Sequence, residues 1–251
     1  MSNSLNNDSA FEASMDKYEE IANLWLWYPD LALDLMAPKE GGIKLHSDQR
    51  IFMRCGARFF SEYGCFPRGW GKTFAEVATM VITAIRYPNI EIGLTAQTKE
   101  NAASLLKDKY NELVRYYPML LNEIKKTSFV KGDALIVFKN DARIDALANA
   151  QSSKGQRRKR LNIEESNLMD NTTFEDALEP VVEVGRITTG KLAITNPEEL
   201  NQQINFFTTP GFRGSDEYRR SLQMIQDMRN LKGKIVLGSD WMLGCWYGRG
   251  S

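Results

Sequence analysis

The sequence has a single histidine, His46, and only three cysteines, Cys55, Cys65 and Cys245. One imidazole cannot build a histidine metal cluster, and it argues against a catalytic triad. The cysteines are odd in number and no two share a CxxC spacing. Neither a disulfide framework nor a zinc site is therefore expected, and a reducing intracellular compartment is implied. There is no apolar run of the roughly 18 residues that a membrane span needs. The polar start of the chain does not resemble a secretory signal. Net charge is missing too, because 32 basic and 32 acidic side chains cancel. Any surface for an anionic polymer must then come from local charge placement. Internal repeats and low-complexity tracts are absent.

What is present is ordinary globular composition, 43% hydrophobic and 25% charged over 251 residues. That length suits one domain with a small appendage and a full core. Residues 1–44 read as an N-terminal helical element, with Tyr18, Ile21, Ala22, Trp25 and Leu26 at helical spacing and a break at Pro29. Ser47 and Asp48 read as the cap of a second helix whose stripe is Phe52, Cys55, Phe59, Phe60 and Tyr63. Phe74, Val77, Ala78, Val81, Ile82 and Ile85 mark a long helix ending before Pro88. Strands are expected around Phe129 and at 90–95, 134–138, 144–147, 160–164, 205–208 and 234–237. Helices are expected after Thr98, through 174–184 and over 216–231. Strands alternating with helices predict an α/β fold with a mainly parallel sheet and crossover helices.

The sharpest motif is Arg68-Gly69-Trp70-Gly71-Lys72-Thr73, between a strand and the long helix. Glycines allow a tight turn whose amides point at phosphate oxygens, and the helix N-terminus adds partial positive charge. Lys72 then reaches the terminal phosphates, and the Thr73 hydroxyl binds Mg²⁺. The full phosphate-loop pattern asks for glycine at position 66, where this chain has Phe66.

Arg160-Leu161-Asn162-Ile163-Glu164-Glu165 ends a short strand in two carboxylates. In P-loop ATPases the first such acid holds Mg²⁺ through water and a following Glu polarises the attacking water. This assigns Glu164 to the metal and Glu165 to catalysis, with Glu164 standing where Asp is usual. Upstream, residues 154–160 carry five basic side chains. Such a run is a solvated loop, a contact to a nucleic-acid backbone, or the source of an arginine that stabilises charge on the γ-phosphate. Arg158 and Arg157 are the candidates for that finger, with Arg68 in the phosphate loop as a second possibility.

Four elements now stand in order: Leu45 to Arg50, Pro67 to Thr73, Arg160 to Glu165, and Phe206-Phe207-Thr208-Thr209-Pro210-Gly211. Over roughly residues 45–240 they resemble the ATPase half of the large terminase subunit of tailed bacteriophages. The resemblance implies a P-loop NTPase fold of the ASCE, RecA-like type, with flanking helices and a small helical N-terminal and lid subdomain. Residues 45–212 would form the ATPase core and 213–251 a lid and linker. It implies that Gln49 reads adenine and that Arg68, Gly69, Gly71, Lys72 and Thr73 hold the phosphates of ATP. It implies that Thr208 and Thr209 couple hydrolysis to movement of double-stranded DNA.

The partners it implies are double-stranded DNA, a portal and prohead, a small terminase subunit, and further copies in a ring. The place it implies is the cytoplasm of an infected bacterium, transiently at the portal vertex. The family also carries a nuclease domain, for which the chain has no room after Ser251. Asp240 alone cannot hold two metals, so no nuclease activity is expected. The rival readings are a superfamily-2-like helicase ATPase, a nucleotide-binding assembly module with little turnover, and a small-molecule kinase.

Overall fold

The computed structural model describes residues 17, 20, 21, 23–148, 153, 157–169, 171–182 and 202–238. Helices α1 (Pro29–Met36), α2 (Ser47–Gly56), α3 (Lys72–Arg86), α4 (Lys99–Tyr116) and α5 (Asp216–Arg229) surround one eight-stranded sheet. The strands are β1 (Ser61–Cys65), β2 (Glu91–Thr95), β3 (Ile124–Val130), β4 (Asp133–Phe138), β5 (Arg143–Leu147), β6 (Arg160–Glu164), β7 (Gln203–Thr208) and β8 (Lys234–Gly238). Their order is β3-β4-β5-β2-β6-β7-β1-β8. From β5 to β8 every pairing is parallel, and β3 and β4 add an antiparallel hairpin at one edge. This is the expected P-loop NTPase sheet, with β7 between the phosphate-loop strand β1 and the acid strand β6.

Local chemistry explains the elements. Pro29 sits at the first position of α1, where its missing N–H costs nothing. Thr98 caps α4 by accepting the Asn101 amide, and Ser215 caps α5 by accepting that of Tyr218. Along α3 the residues Val77, Ala78, Val81 and Ile82 are almost wholly buried. Each larger one contributes about 1.5–3 kcal/mol of burial. The four helices α1 to α4 share one core with Ile92, Leu94, Ile136 and Ile144 of the sheet. On the opposite face Tyr63, Leu161, Ile163, Phe206 and Val236 pack against Met224 of α5 and Leu178, Val181 and Val182.

Two expectations are corrected. The second helix stops at Gly56, and Tyr63 lies in β1, not on a helical stripe. The boundary at 212 is not a break, because β8 pairs in register with β1 from Ser61↔Lys234 to Cys65↔Gly238. Residues 216–238 thus belong to the main α/β unit. The helical stretch expected over 174–184 is helical as far as the described residues run, as a short α-helix over Asn171–Thr173, a π-helix over Phe174–Leu178 and a 3₁₀-helix over Glu179–Val182. Asp240 and the start of the basic run, residues 154–156 with Lys154, lie outside the described residues.

Candidate nucleotide site

Parallel strands put their C-terminal ends on one edge, where the crossover loops leave a crevice. Here the ends of β1, β6 and β7 meet the N-terminus of α3. The cavity there measures about 490 Å³ and includes Arg68, Gly69, Gly71, Lys72, Thr73, Glu164, Glu165 and Thr209 in its wall.

The loop from β1 to α3 turns through two glycines in the left-handed region, Gly69 at φ 82° and Gly71 at φ 88°. A Cβ on Gly71 would stand 2.6 Å from Gln49 Nε2. Phe66, in place of the usual first glycine, is fully buried and stacks on Trp70 with centroids 3.9 Å apart at 15°. Phe52 packs edge-on against both rings. The Trp70 indole N–H donates to Asp48 Oδ2 at 2.8 Å, and the Phe66 amide donates to the Thr208 carbonyl at 3.1 Å. The loop is therefore held from beneath by an aromatic stack and two anchors. Sequence reasoning missed this support, although the Phe-x-x-x-Trp spacing carried the signal.

Gln49 is buried beside this loop. Its Nε2 donates to the Trp70 carbonyl at 3.3 Å and its Oε1 accepts the His46 amide at 3.1 Å. Both ends of its amide thus serve backbone groups. The structure gives Gln49 a loop-supporting place, and reading adenine would require it to release one of these bonds.

Glu164 and Lys72 meet at 2.5 Å, and Thr73 Oγ1 donates to the other Glu164 oxygen. The Glu164 side chain is nearly fully buried. Its extra methylene, relative to Asp, lets one carboxylate reach both residues of α3. One helical turn on, Glu76 is wholly buried and, among the described residues, neither of its carboxylate oxygens has a hydrogen-bond partner. Burial, with the Glu164 carboxylate nearby, pushes the Glu76 carboxyl well above the ordinary range. Glu165 is exposed to the cavity and sits at φ 52°, ψ 45°. That conformation costs a non-glycine residue on the order of 1–3 kcal/mol and persists only where the surroundings fix it. Thr208 is buried at the end of β7, and Thr209 lines the cavity.

The oxygen donors suit a small hard cation. Thr73 Oγ1 and Glu164 converge on one point, and Mg²⁺ takes few protein ligands and keeps several waters. Among the described residues no group of three or more His, Cys, Asp or Glu forms a metal cage. The α3 N-terminus with Lys72 suits phosphate.

The two finger candidates on the basic run are not brought to this site. Arg158 is buried and bound to Asp145 at 2.8 and 2.5 Å. It precedes the N-terminal end of β6, roughly 20 Å of strand from Glu164 at about 3.3 Å per residue. Asp145 neutralises it, so it is a structural ion pair and not a free cation. Arg157 is exposed at the same remote end. Arg68 alone of the three arginines lines the cavity.

No protein-family model matches the chain, and no curated protein is similar to it in sequence. Its fold is that of phage large terminase ATPase domains. A mutant ATPase domain of the Thermus phage P74-26 large terminase superposes with TM-score 0.54 at 13% identity, over 72% of this chain and 70% of that one. The large terminase of a second, thermophilic bacteriophage superposes with TM-score 0.57 at 10% identity, over 78% of this chain and 46% of that one. A structure of that second terminase in complex with ADP gives TM-score 0.56 at 10% identity, over 78% and 45%. This chain therefore spans less than half of that protein's length.

Proposed function

We propose that the chain is an ATP-hydrolysing motor domain of a viral large terminase, and that it drives double-stranded DNA into a prohead. The observation that carries the reading is the convergence of Lys72, Thr73, Glu164 and Glu165 at the switch edge of a terminase-like sheet. Lys72 leaves its bond to Glu164 to neutralise the terminal phosphates. The amides of Gly69, Gly71 and the first turn of α3 orient them. Thr73 and Glu164 hold Mg²⁺, which when bound offsets charge on the phosphate oxygens. Glu165 aligns the attacking water at its carboxylate and accepts a proton. Arg68 supplies positive charge beside the γ-phosphate. Thr209 reports the departure of that phosphate along β7.

On this reading DNA is contacted through phosphates and without regard to sequence, as translocation requires, by a local patch because the net charge is zero. Partners on this reading are the portal and prohead, a small terminase subunit, and further copies in a ring. The place of action is the cytoplasm of an infected bacterium. The test is ATP turnover of the purified chain across protein concentration, with and without DNA, beside Lys72→Ala and Glu165→Ala. Turnover abolished by both changes is expected, with nucleotide binding kept in Glu165→Ala and lost in Lys72→Ala. ATP bound through Lys72 but never hydrolysed would replace this reading with an assembly module, which the direct Lys72–Glu164–Thr73 closure favours.

A further inference from the structure

The turn that carries Glu165 is gripped from a distant helix. Ser166, directly after it, is fully buried. Its hydroxyl donates to Glu217 Oε1 at 2.8 Å, and its carbonyl accepts from Arg220 Nη1 at 3.2 Å. Glu217 and Arg220 lie one turn apart on α5 and pair at 2.5 Å, both almost wholly buried. The Arg220 guanidinium also donates to Asn171 Oδ1 at 2.7 Å and lies over the Phe206 ring of β7 at 5.2 Å. Neither Glu217, Arg220 nor Ser166 lines the nucleotide cavity.

A buried ion pair is weak evidence for stability, because its desolvation offsets its Coulombic gain. This one directs hydrogen bonds to both the backbone and the side chain of a single residue beside a strained Glu165. The helix that carries it begins at Asp216, a short loop beyond the cavity-lining Thr209. The same ion pair therefore touches the turn after β6 and belongs to the segment after β7.

We propose that Glu217 and Arg220 are positioning residues for hydrolysis: through Ser166 they hold the Glu165 carboxylate toward the cavity and tie it to α5. This rests on the ATPase reading above. Movement of the segment after Thr209 then acts on Glu165 directly, so the state of the γ-phosphate and the aim of the water-activating carboxylate are linked through α5. Ser166→Ala deletes one hydrogen bond of the grip and leaves the ion pair standing, so it separates aim from folding.

The experiment uses the full chain with Ser166→Ala, Glu217→Gln, Arg220→Lys and Arg220→Met, beside wild type, Lys72→Ala and Glu165→Ala. Turnover is followed against ATP concentration with DNA present, affinity with a fluorescent ATP analogue, and amide hydrogen exchange by mass spectrometry. For Ser166→Ala and Glu217→Gln, kcat falls tenfold or more while KM and the nucleotide Kd stay within about twofold. Arg220→Lys, which keeps the charge, recovers part of the rate relative to Arg220→Met. Exchange rises in 165–169 and not in 71–75. Wild-type kcat in folded Ser166→Ala and Glu217→Gln, or a loss that follows weakened nucleotide binding, overturns the proposal while the ATPase reading stands. A wild type without turnover that Lys72→Ala removes overturns both.

Discussion

Replacing Glu62 by Gln tests how the sheet tolerates charge beneath the phosphate loop. Glu62 is the second residue of β1 and is 1% exposed. Its side chain is wedged against α2, where a Cβ on Gly56 would stand 3.1 Å from Oε2. Among the described residues Oε1 has no hydrogen-bond partner. Burial pushes the carboxyl well above its ordinary value of 4.5. A carboxyl raised in the folded state contributes its full stability below the unfolded value. That stability is lost as pH climbs toward the folded value, since the unfolded chain ionises first. The loss accumulates at about 1.4 kcal/mol per pH unit while the folded group stays neutral. Over the pH range in which the folded group stays neutral, the wild type should lose up to about 1.4 kcal/mol per pH unit relative to Glu62→Gln, which keeps the shape and cannot ionise. Set against a usual total of about 5–15 kcal/mol, the difference is readily measured. The assay is urea unfolding of both proteins at pH 5, 6 and 7. A stability difference that does not change across these three points would refute the reasoning, because Glu62 would then be ionised or paired inside the fold.

Three further outcomes are expected. Gly71→Ala forces a Cβ into the left-handed region and against Gln49 Nε2, costing about 1–2 kcal/mol of backbone strain and about 1 kcal/mol of lost hydrogen bonding. Nucleotide affinity should fall at least tenfold in a fluorescent-analogue titration, and unchanged affinity would reject the cradle. Arg158→Met strands Asp145, with a loss at the low end of about 3–5 kcal/mol because Asp145 keeps some exposure. The folded fraction should keep wild-type kcat; loss of turnover at intact stability would restore its finger role. Gln49→Ala releases both the His46 and Trp70 anchors, so affinities for ATP and GTP should weaken together in competition binding. Selective weakening for ATP would return Gln49 to adenine reading.

The helical elements and the phosphate loop were legible where the pattern was local. The apolar spacing from Phe74 to Ile85 marked α3, and Thr98 announced α4 through its cap. Glycines before Lys72 and paired acids at the end of β6 gave most of the cavity wall. Legibility failed where partners come from afar. The strand before the phosphate loop was legible but its start was not: β1 opens with Ser-Glu, and the chance helical spacing of Phe59, Phe60 and Tyr63 drew Tyr63 into the preceding helix. β8 was legible as a strand but was placed in a lid and linker, because its partner in the sheet lies far back along the chain, as the Ser61↔Lys234 register makes plain. Arg158 looked like a free cation because the Asp145 that neutralises it sits on another strand. The grip of Glu217 and Arg220 on Ser166 joins segments far apart in sequence and leaves no local signature.

The indole of Trp70 is built into the phosphate loop, stacked on one ring and bonded to one carboxylate. Its emission depends on both neighbours, so any shift of the loop changes its colour and intensity. A variant retaining Trp70 and replacing Trp25, Trp27, Trp241 and Trp246 would carry a native optical gauge. Loop motion could then be timed against phosphate release in a stopped-flow instrument without attaching a dye.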